Sequence, residues 1–314
     1  MYTDQTVTGL IHKAYEKLNA SDAESAAALL EEALQIDFNN EETKYALKSV
    51  NFWIEHTAPI KNMQNPYEKG GYLLSQLKLY YVFLENVKGN FDLCQYSIKR
   101  YVFSLALNYF KDILGDGVNK HDPGLLLLIG RCYKGVGNYD EAKNYLLQAT
   151  RFRREDGETL AELADVNALL GETTTAKLLF REAFFLNPEK IEVRGMESEM
   201  VLKIRSKLIE EKKFDDEEEL REWIPVYGKL WGVFTVTREL KQIEAGRLKQ
   251  AIHTLETEYR GNPSQKKTKI PRLINHYFWL LDYYEKKRSS PELIDGVLAK
   301  IQVTDKEIYD RYFR

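Results

Sequence analysis

Five histidines, His12, His56, His121, His253 and His276, are the side chains best suited to hold a metal or move a proton. No two of them stand four residues apart, so no helix presents the paired imidazoles of a helical zinc motif. His253 and Glu256 share one helical face, which is the spacing of a surface contact. Cys94 and Cys132 lack metal-site spacing, and two thiols so placed are expected to be free in a reducing compartment. Gly130, Gly135 and Gly137 follow no credible strand, so they form neither a P-loop nor a dinucleotide fingerprint. No serine or cysteine sits at a strand–turn–helix junction. The many carboxylates fall on solvated helical faces. The chain is therefore expected to be no enzyme, with no catalytic residue, no metal, no cofactor and no small-molecule substrate.

The elements that would carry any other function are helical. Only 8 prolines occur in 314 residues, mostly at helix boundaries, which favours an all-α chain. The 20 Tyr, 14 Phe and 4 Trp are read as the large wedges between stacked helices. Lys and Arg number 45 against 48 Asp and Glu, a net charge of −3, so the whole chain has no bias toward nucleic acid. The C-terminal quarter is the exception, with Lys266, Lys267, Lys269, Arg272 and Lys286–Arg288. Apolar runs such as Leu125–Ile129 are too short to span a membrane. The opening residues read as an amphipathic helix rather than a secretion signal. A cytoplasmic location is the expectation, with the periplasm as alternative. Asn19-Ala-Ser21 is a glycosylation sequon without meaning unless the chain is secreted.

Residues 123–188 repeat themselves with a period of 34. Leu126 recurs as Leu160, Ile129 as Leu163, Gly130 as Ala164, Gly137 as Gly171, Ala142 as Ala176, Leu146 as Phe180 and Ala149 as Ala183. The second copy closes on Pro188, where the first has Arg154. Gly137 and Gly171 fall where a first helix must end, and Gly tolerates the left-handed conformation there. Gly130 and Ala142, with Ala164 and Ala176, are small where two helices cross. This pattern resembles the tetratricopeptide repeat (TPR) family. The resemblance implies a right-handed superhelical solenoid of helical hairpins, because one hairpin cannot bury its own apolar stripe.

Outside the regular pair the repeats diverge, and three segments are expected: 1–120, 121–188 and 189–314. Residues 7–40 form a first hairpin, with Ser21 in place of the turn glycine and a Ser21–Glu24 capping box. A helix follows at 41–56. Residues 57–71, with two prolines and two glycines, read as an irregular connection. Long helices are expected at Tyr72–Val87 and Phe91–Leu114, closed by Gly115-Asp116-Gly117. After Pro188, with Asn187 as the cap of the next element, 190–212 read as helix. Asp215–Glu219 begin another, which Pro225 and Gly228 should kink or break. Residues 232–265 carry Gly246, Ala251, Leu255 and Pro263 at repeat offsets and are expected to be a divergent hairpin. Gln265–Lys269 read as a basic loop. The last hairpin is Ile270–Lys287 and Pro291–Ile301, capped by Ser290, and Thr304–Glu307 cap a short terminal helix.

The resemblance also implies a concave groove lined by the first helices of successive repeats, in which a peptide or partner helix lies. Mapped here, it gives Tyr15, Leu127, Arg131, Lys134, Glu158 and Asp165 as candidate contacts. Arg131 and Lys134 are i, i+3 neighbours able to read a carboxylate, although Glu158 and Asp165 can equally pair with them. The Lys/Asn set that grips terminal carboxylates in one subclass is absent. Trp223, Tyr227 and Trp231 offer a further aromatic surface, at least two of them expected to be buried. The expected function is a protein–protein interaction scaffold or assembly adaptor. The alternatives are a nucleic-acid-associated regulator using the basic C-terminal region, or a self-associating subunit of a bacterial envelope or motility assembly.

Overall fold

A computed structural model describes residues 2–115, 121–214, 216–261 and 266–313. The expected turn at 116–117, Asp215, Pro263 and Gln265 lie outside them. Among the described residues there are fifteen α-helices and no strand. They group into two compact units, Met1–Phe152 and Arg153–Arg314, the division falling between the two regular hairpins.

The first unit holds α1 (Tyr2–Asn19), α2 (Ala23–Ile36), α3 (Glu41–Thr57), α4 (Pro66–Asn86), α5 (Asp92–Gly115), α6 (Pro123–Gly135) and α7 (Tyr139–Phe152). The α1–α2 hairpin buries Ala14, Ala26 and Ala33 where its helices cross. Ser21 takes the place of a turn glycine and is left-handed, at φ 64°, beside 83° at Gly137 and 80° at Gly171. It does not cap α2. Asp22 does, accepting from Ser25 N–H at 3.0 Å, which corrects the expected capping box.

The expected irregular stretch 57–71 is mostly ordered. A 3-10 turn spans Ala58–Asn62, and α4 already begins at Pro66. Asn65 caps it through Tyr67 N–H at 2.9 Å, with proline in the first turn, where no N–H is needed. Gly70 is there for a different reason than a bend. A Cβ on it would stand 2.6 Å from the buried Phe110 ring of α5. Rings of α3 and α4 interlock, Phe52, Trp53, Tyr80 and Phe83 lying with centroids 4.9–5.9 Å apart. The aromatics are indeed wedges. Helix α5 packs on α4, α1 and α6.

The regular hairpins follow the sequence. Asp122 caps α6 through Gly124 N–H at 2.8 Å, and a Cβ on Gly130 would meet Leu146 at 2.6 Å. The second unit opens with the other hairpin, α8 (Gly157–Leu169) and α9 (Thr173–Leu186). It continues through α10 (Glu199–Lys212), α11 (Glu217–Leu230), α12 (Gln242–Gly261), α13 (Lys266–Lys286), α14 (Pro291–Thr304) and α15 (Lys306–Tyr312).

Several expectations beyond Pro188 are corrected. Asn187 caps nothing ahead of it, and its side chain instead accepts from Gly157 N–H at 3.3 Å. Residues 191–198 are not regular helix, with a single 3-10 turn at Val193–Gly195, and α10 begins only at Glu199. Helix α11 runs through Pro225 to Leu230 without a break in its assignment. The chain leaves it at Gly232, φ 71°, where the Gly228 carbonyl accepts from Val233 and Phe234 N–H at 2.9 and 2.8 Å. Phe234 folds back onto Gly228, where a Cβ would stand 2.4 Å from its ring. It is fully buried beside Phe180 and Phe184.

This return fixes 232–241 outside any helix, so the expected hairpin at 232–265 is one helix, α12, with Gly246 in its interior. Lys266–Lys269 are the first turn of α13 rather than a loop. Helix α13 is buried around most of its circumference from Leu273 to Tyr284 and packs on α11, α12 and α14. Asp305, not Thr304, caps α15, accepting from Ile308 N–H at 3.0 Å. Ile308 is buried and Tyr312 stacks on Phe278, so α15 seals the end of the core.

Candidate partner-binding surface

Four of the six expected groove residues are interior. Tyr15 is 3% exposed, and its hydroxyl donates to Glu42 Oε1 at 2.9 Å. Burial, reinforced by Cys94 and Glu42, pushes its pKa far up. The cause is α5, which lies against α1 and covers the face that carries Tyr15. Leu127 is buried, and Lys134 is only 1% exposed on α6. In the second unit Asp165 is 0% exposed, and its carboxylate accepts from Glu197 and Ser198 N–H at 2.9 Å each. Asp165 is thus the anchor that holds 197–198 extended ahead of α10. Arg131 and Glu158 are half-buried, and each has an interaction partner. Arg131 and Lys134 share α6, while Tyr15 is carried by α1, and α5 packs on both helices.

Reactive groups are likewise built into the interior. Burial pushes the Cys94 thiol up to about 12, which keeps it protonated and inert. Cys132 is buried and in no disulfide. Among the described residues no cluster of three or more His, Cys, Asp or Glu has the arrangement of a metal site. Nor is any helix among them long and apolar enough to cross a membrane.

Residues 123–156, which span α6, α7 and the turn to the cap of α8, match the tetratricopeptide-repeat family model. The chain carries a tetratricopeptide repeat at these residues. No curated protein matches it. The matched segment is one 34-residue unit, and the hairpin α8–α9 repeats its turn geometry at Gly171. TPR hairpins bury their stripes on their neighbours, and in this chain the neighbours on α1 and α6 include the overlong α5.

Two surfaces remain for comparison with the sequence. Four of the basic C-terminal residues face acidic ones. Lys267 lies 3.4 Å from Glu219, Lys269 pairs with Glu258, Arg272 with Glu222 and Glu189, and Lys287 with Glu239. Trp223 and Tyr227 are buried, and Tyr227 packs on the half-buried Trp231 at 4.9 Å. Helix α4 is the surface the groove mapping missed. Its run Tyr72–Leu84 is mostly apolar, interrupted by Ser75, Gln76 and Lys78, yet only Gly70, Leu73 and Tyr80 of the helix are buried. Leu79 is 53% and Val82 49% exposed. With Tyr67, Gly71 and Ser75 they form one helical stripe, and the space above Gly71 is open. The signal was present in the run Tyr72–Leu84, where apolar residues recur on every face rather than every third or fourth position.

Proposed function

We propose that this TPR protein is a non-catalytic interaction scaffold, and that an amphipathic helix of a partner protein docks on the outer stripe of α4. The observation that carries it is the pairing of Leu79 and Val82, exposed one turn apart on the outer face of α4. Isolated exposed apolar residues are ordinary, but Tyr67, Leu79 and Val82 exposed along one side of a helix mark a contact surface. Gly71 and Ser75 leave a shallow trough in the middle of the stripe. From Tyr67 to Val82 the stripe spans fifteen helical steps, about 22 Å at 1.5 Å each, the length of a four-turn helix. Anchors at i, i+3, i+4 and i+7 of the incoming helix fit such a trough. Buried thiols outside any disulfide at Cys94 and Cys132 support a reducing compartment, and the cytoplasm is the location this reading takes. Carboxylates beside Lys267, Lys269, Arg272 and Lys287 speak against a nucleic-acid role, since those four charges are already paired.

The test is a photo-crosslinking residue at position 79, with position 293 on α14 as a comparison, in cells that express the chain natively. The expected adduct forms at 79 and not at 293, maps by mass spectrometry to an amphipathic helical segment of another protein, and is lost with Val82→Lys. Adducts only to a second copy of this chain would replace the scaffold by self-association. Equal adducts at both positions, or none at 79, would remove the α4 surface.

A further inference from the structure

A groove of about 480 Å³ lies in the second unit between α12 and α13, floored by the end of α9. From α12 it takes a stripe running from Arg247 to Glu258, and from α13 it takes Lys269, Arg272 and His276. Eleven residues of helix are about 16 Å long, the span of five extended residues. Two groups in its walls have unused bonding capacity. Arg272 donates to Glu222 at 3.1 Å and to Glu189 at 3.0 Å, and Lys269 pairs with Glu258. Arg247 is exposed and has no acidic partner among the described residues.

The second group is His276. Its Nδ1 lies 2.7 Å from the carbonyl oxygen of Arg272. A carbonyl only accepts, so Nδ1 carries the proton and donates. In the neutral ring Nε2 is then a bare lone pair, fixed in orientation by that bond and by Phe185, whose ring centroid lies 4.8 Å away. Nε2 has no partner among the described residues. Such a group asks for a donor, and an anion would be repelled from it.

We propose that this groove binds an extended segment of a partner polypeptide, with a side-chain hydroxyl donating to His276 Nε2 and a carboxylate facing Arg247. The site lies outside the regular repeats and on another unit from α4. It shares with the proposed function only the premise of a protein partner, and its test does not involve α4. The apolar part of the floor, Phe185 and Leu255, takes the aliphatic stem of whatever residue stands between the two polar ones.

The experiment uses the whole chain with ¹⁵N-labelled histidine and a panel of blocked pentapeptides carrying one Ser and one Glu, two to four residues apart in either order. The expected result is a shift of the His276 Nε2 resonance by at least one member. Replacing its Ser by O-methylserine, which keeps the bulk and removes the donor, should weaken binding by about 3- to 10-fold. Arg247→Glu should weaken the Glu peptide by about 5-fold and improve the matching Lys peptide, an exchange of preference that a misfolded variant cannot produce. No shift at Nε2 with any peptide at millimolar concentration would overturn the site. Indifference to O-methylserine would overturn the hydroxyl assignment. Unchanged preference in Arg247→Glu would overturn the carboxylate assignment.

Discussion

The carboxylate of Asp165 accepts two consecutive backbone N–H groups, from Glu197 and Ser198, at 2.9 Å each. One side chain on α8 thereby sets where α10 begins, some thirty residues later. Asp165→Ala would strand two donors in a buried place, each costing about 1–3 kcal/mol. The second unit should lose about 2–4 kcal/mol in urea unfolding, with fraying of 191–200 visible by hydrogen exchange. Unchanged exchange in that segment would show the bonds to be incidental.

Gly70 and Gly71 stand side by side in α4 and should respond oppositely to one methyl group. At Gly70 the added Cβ meets the fully buried Phe110 ring at 2.6 Å, and at Gly71 it meets nothing within 4 Å. Overpacking costs about 1–3 kcal/mol, and replacing Gly by Ala in a helix returns up to about 1 kcal/mol. Gly70→Ala is expected to lower the melting temperature and Gly71→Ala to raise it. The same sign for both would mean that α4 does not pack on α5 in this register.

Arg181 of α9 and Asp282 of α13 form a buried ion pair, with Lys229 of α11 at 2.9 Å from the same carboxylate and Trp279 stacked under the guanidinium at 4.8 Å. Asp282→Ala leaves Arg181 buried without its counter-charge and should cost about 3–5 kcal/mol. Pairing it with Arg181→Met should recover most of that loss, a coupling read directly from a double-mutant cycle. Additive losses would place the energy in packing instead.

His276 gives the second unit a pH dependence of known sign. Burial, set against the bond to the Arg272 carbonyl and reinforced by the Arg272 charge, lowers its pKa from the usual 6.5 to about 4. Arg272 in turn is faced by Glu222 and Glu189. The folded ring stays neutral where the unfolded one takes a proton, so the unfolded state gains as pH falls. Stability is full above about 6.5 and drains between 6.5 and 4 by about 3 kcal/mol. His276→Asn should flatten that part of the profile relative to the unsubstituted chain. Parallel profiles would assign the acid loss to carboxylates alone.

What was legible in the sequence was whatever depends on near neighbours. The period of 34 gave two hairpins, their turn glycines and their small crossing residues. Ser21 was located correctly as the turn, but its neighbour Asp22 supplies the cap. What was hidden depends on contacts far along the chain. The glycines at 70 and 71 look like a break until Phe110 is seen above one of them. Tyr15 and Lys134 sit at groove offsets, but the face of α1 that carries Tyr15 lies under α5, which no spacing announces. Asp165 looks like a surface carboxylate until its partners at 197 and 198 appear. The offsets at 246–263 are real, yet Phe234 ties the preceding residues back to Gly228, so no first helix forms there.

The ties of the second unit reach far along the chain. Arg181 meets Asp282 101 residues on, Lys212 meets Glu307 95 residues on, and Glu189 meets Arg272 across 83. A repeat array whose members touch only adjacent members can fray from its ends and can be shortened or lengthened one hairpin at a time. This half of the molecule has given up that freedom. Closing loops of that length slows folding, and the helices they join must arrive together. It should therefore melt as one block and tolerate neither the loss nor the insertion of a repeat. New hairpins could enter this chain only on the side of the regular hairpin of the first unit, α6–α7.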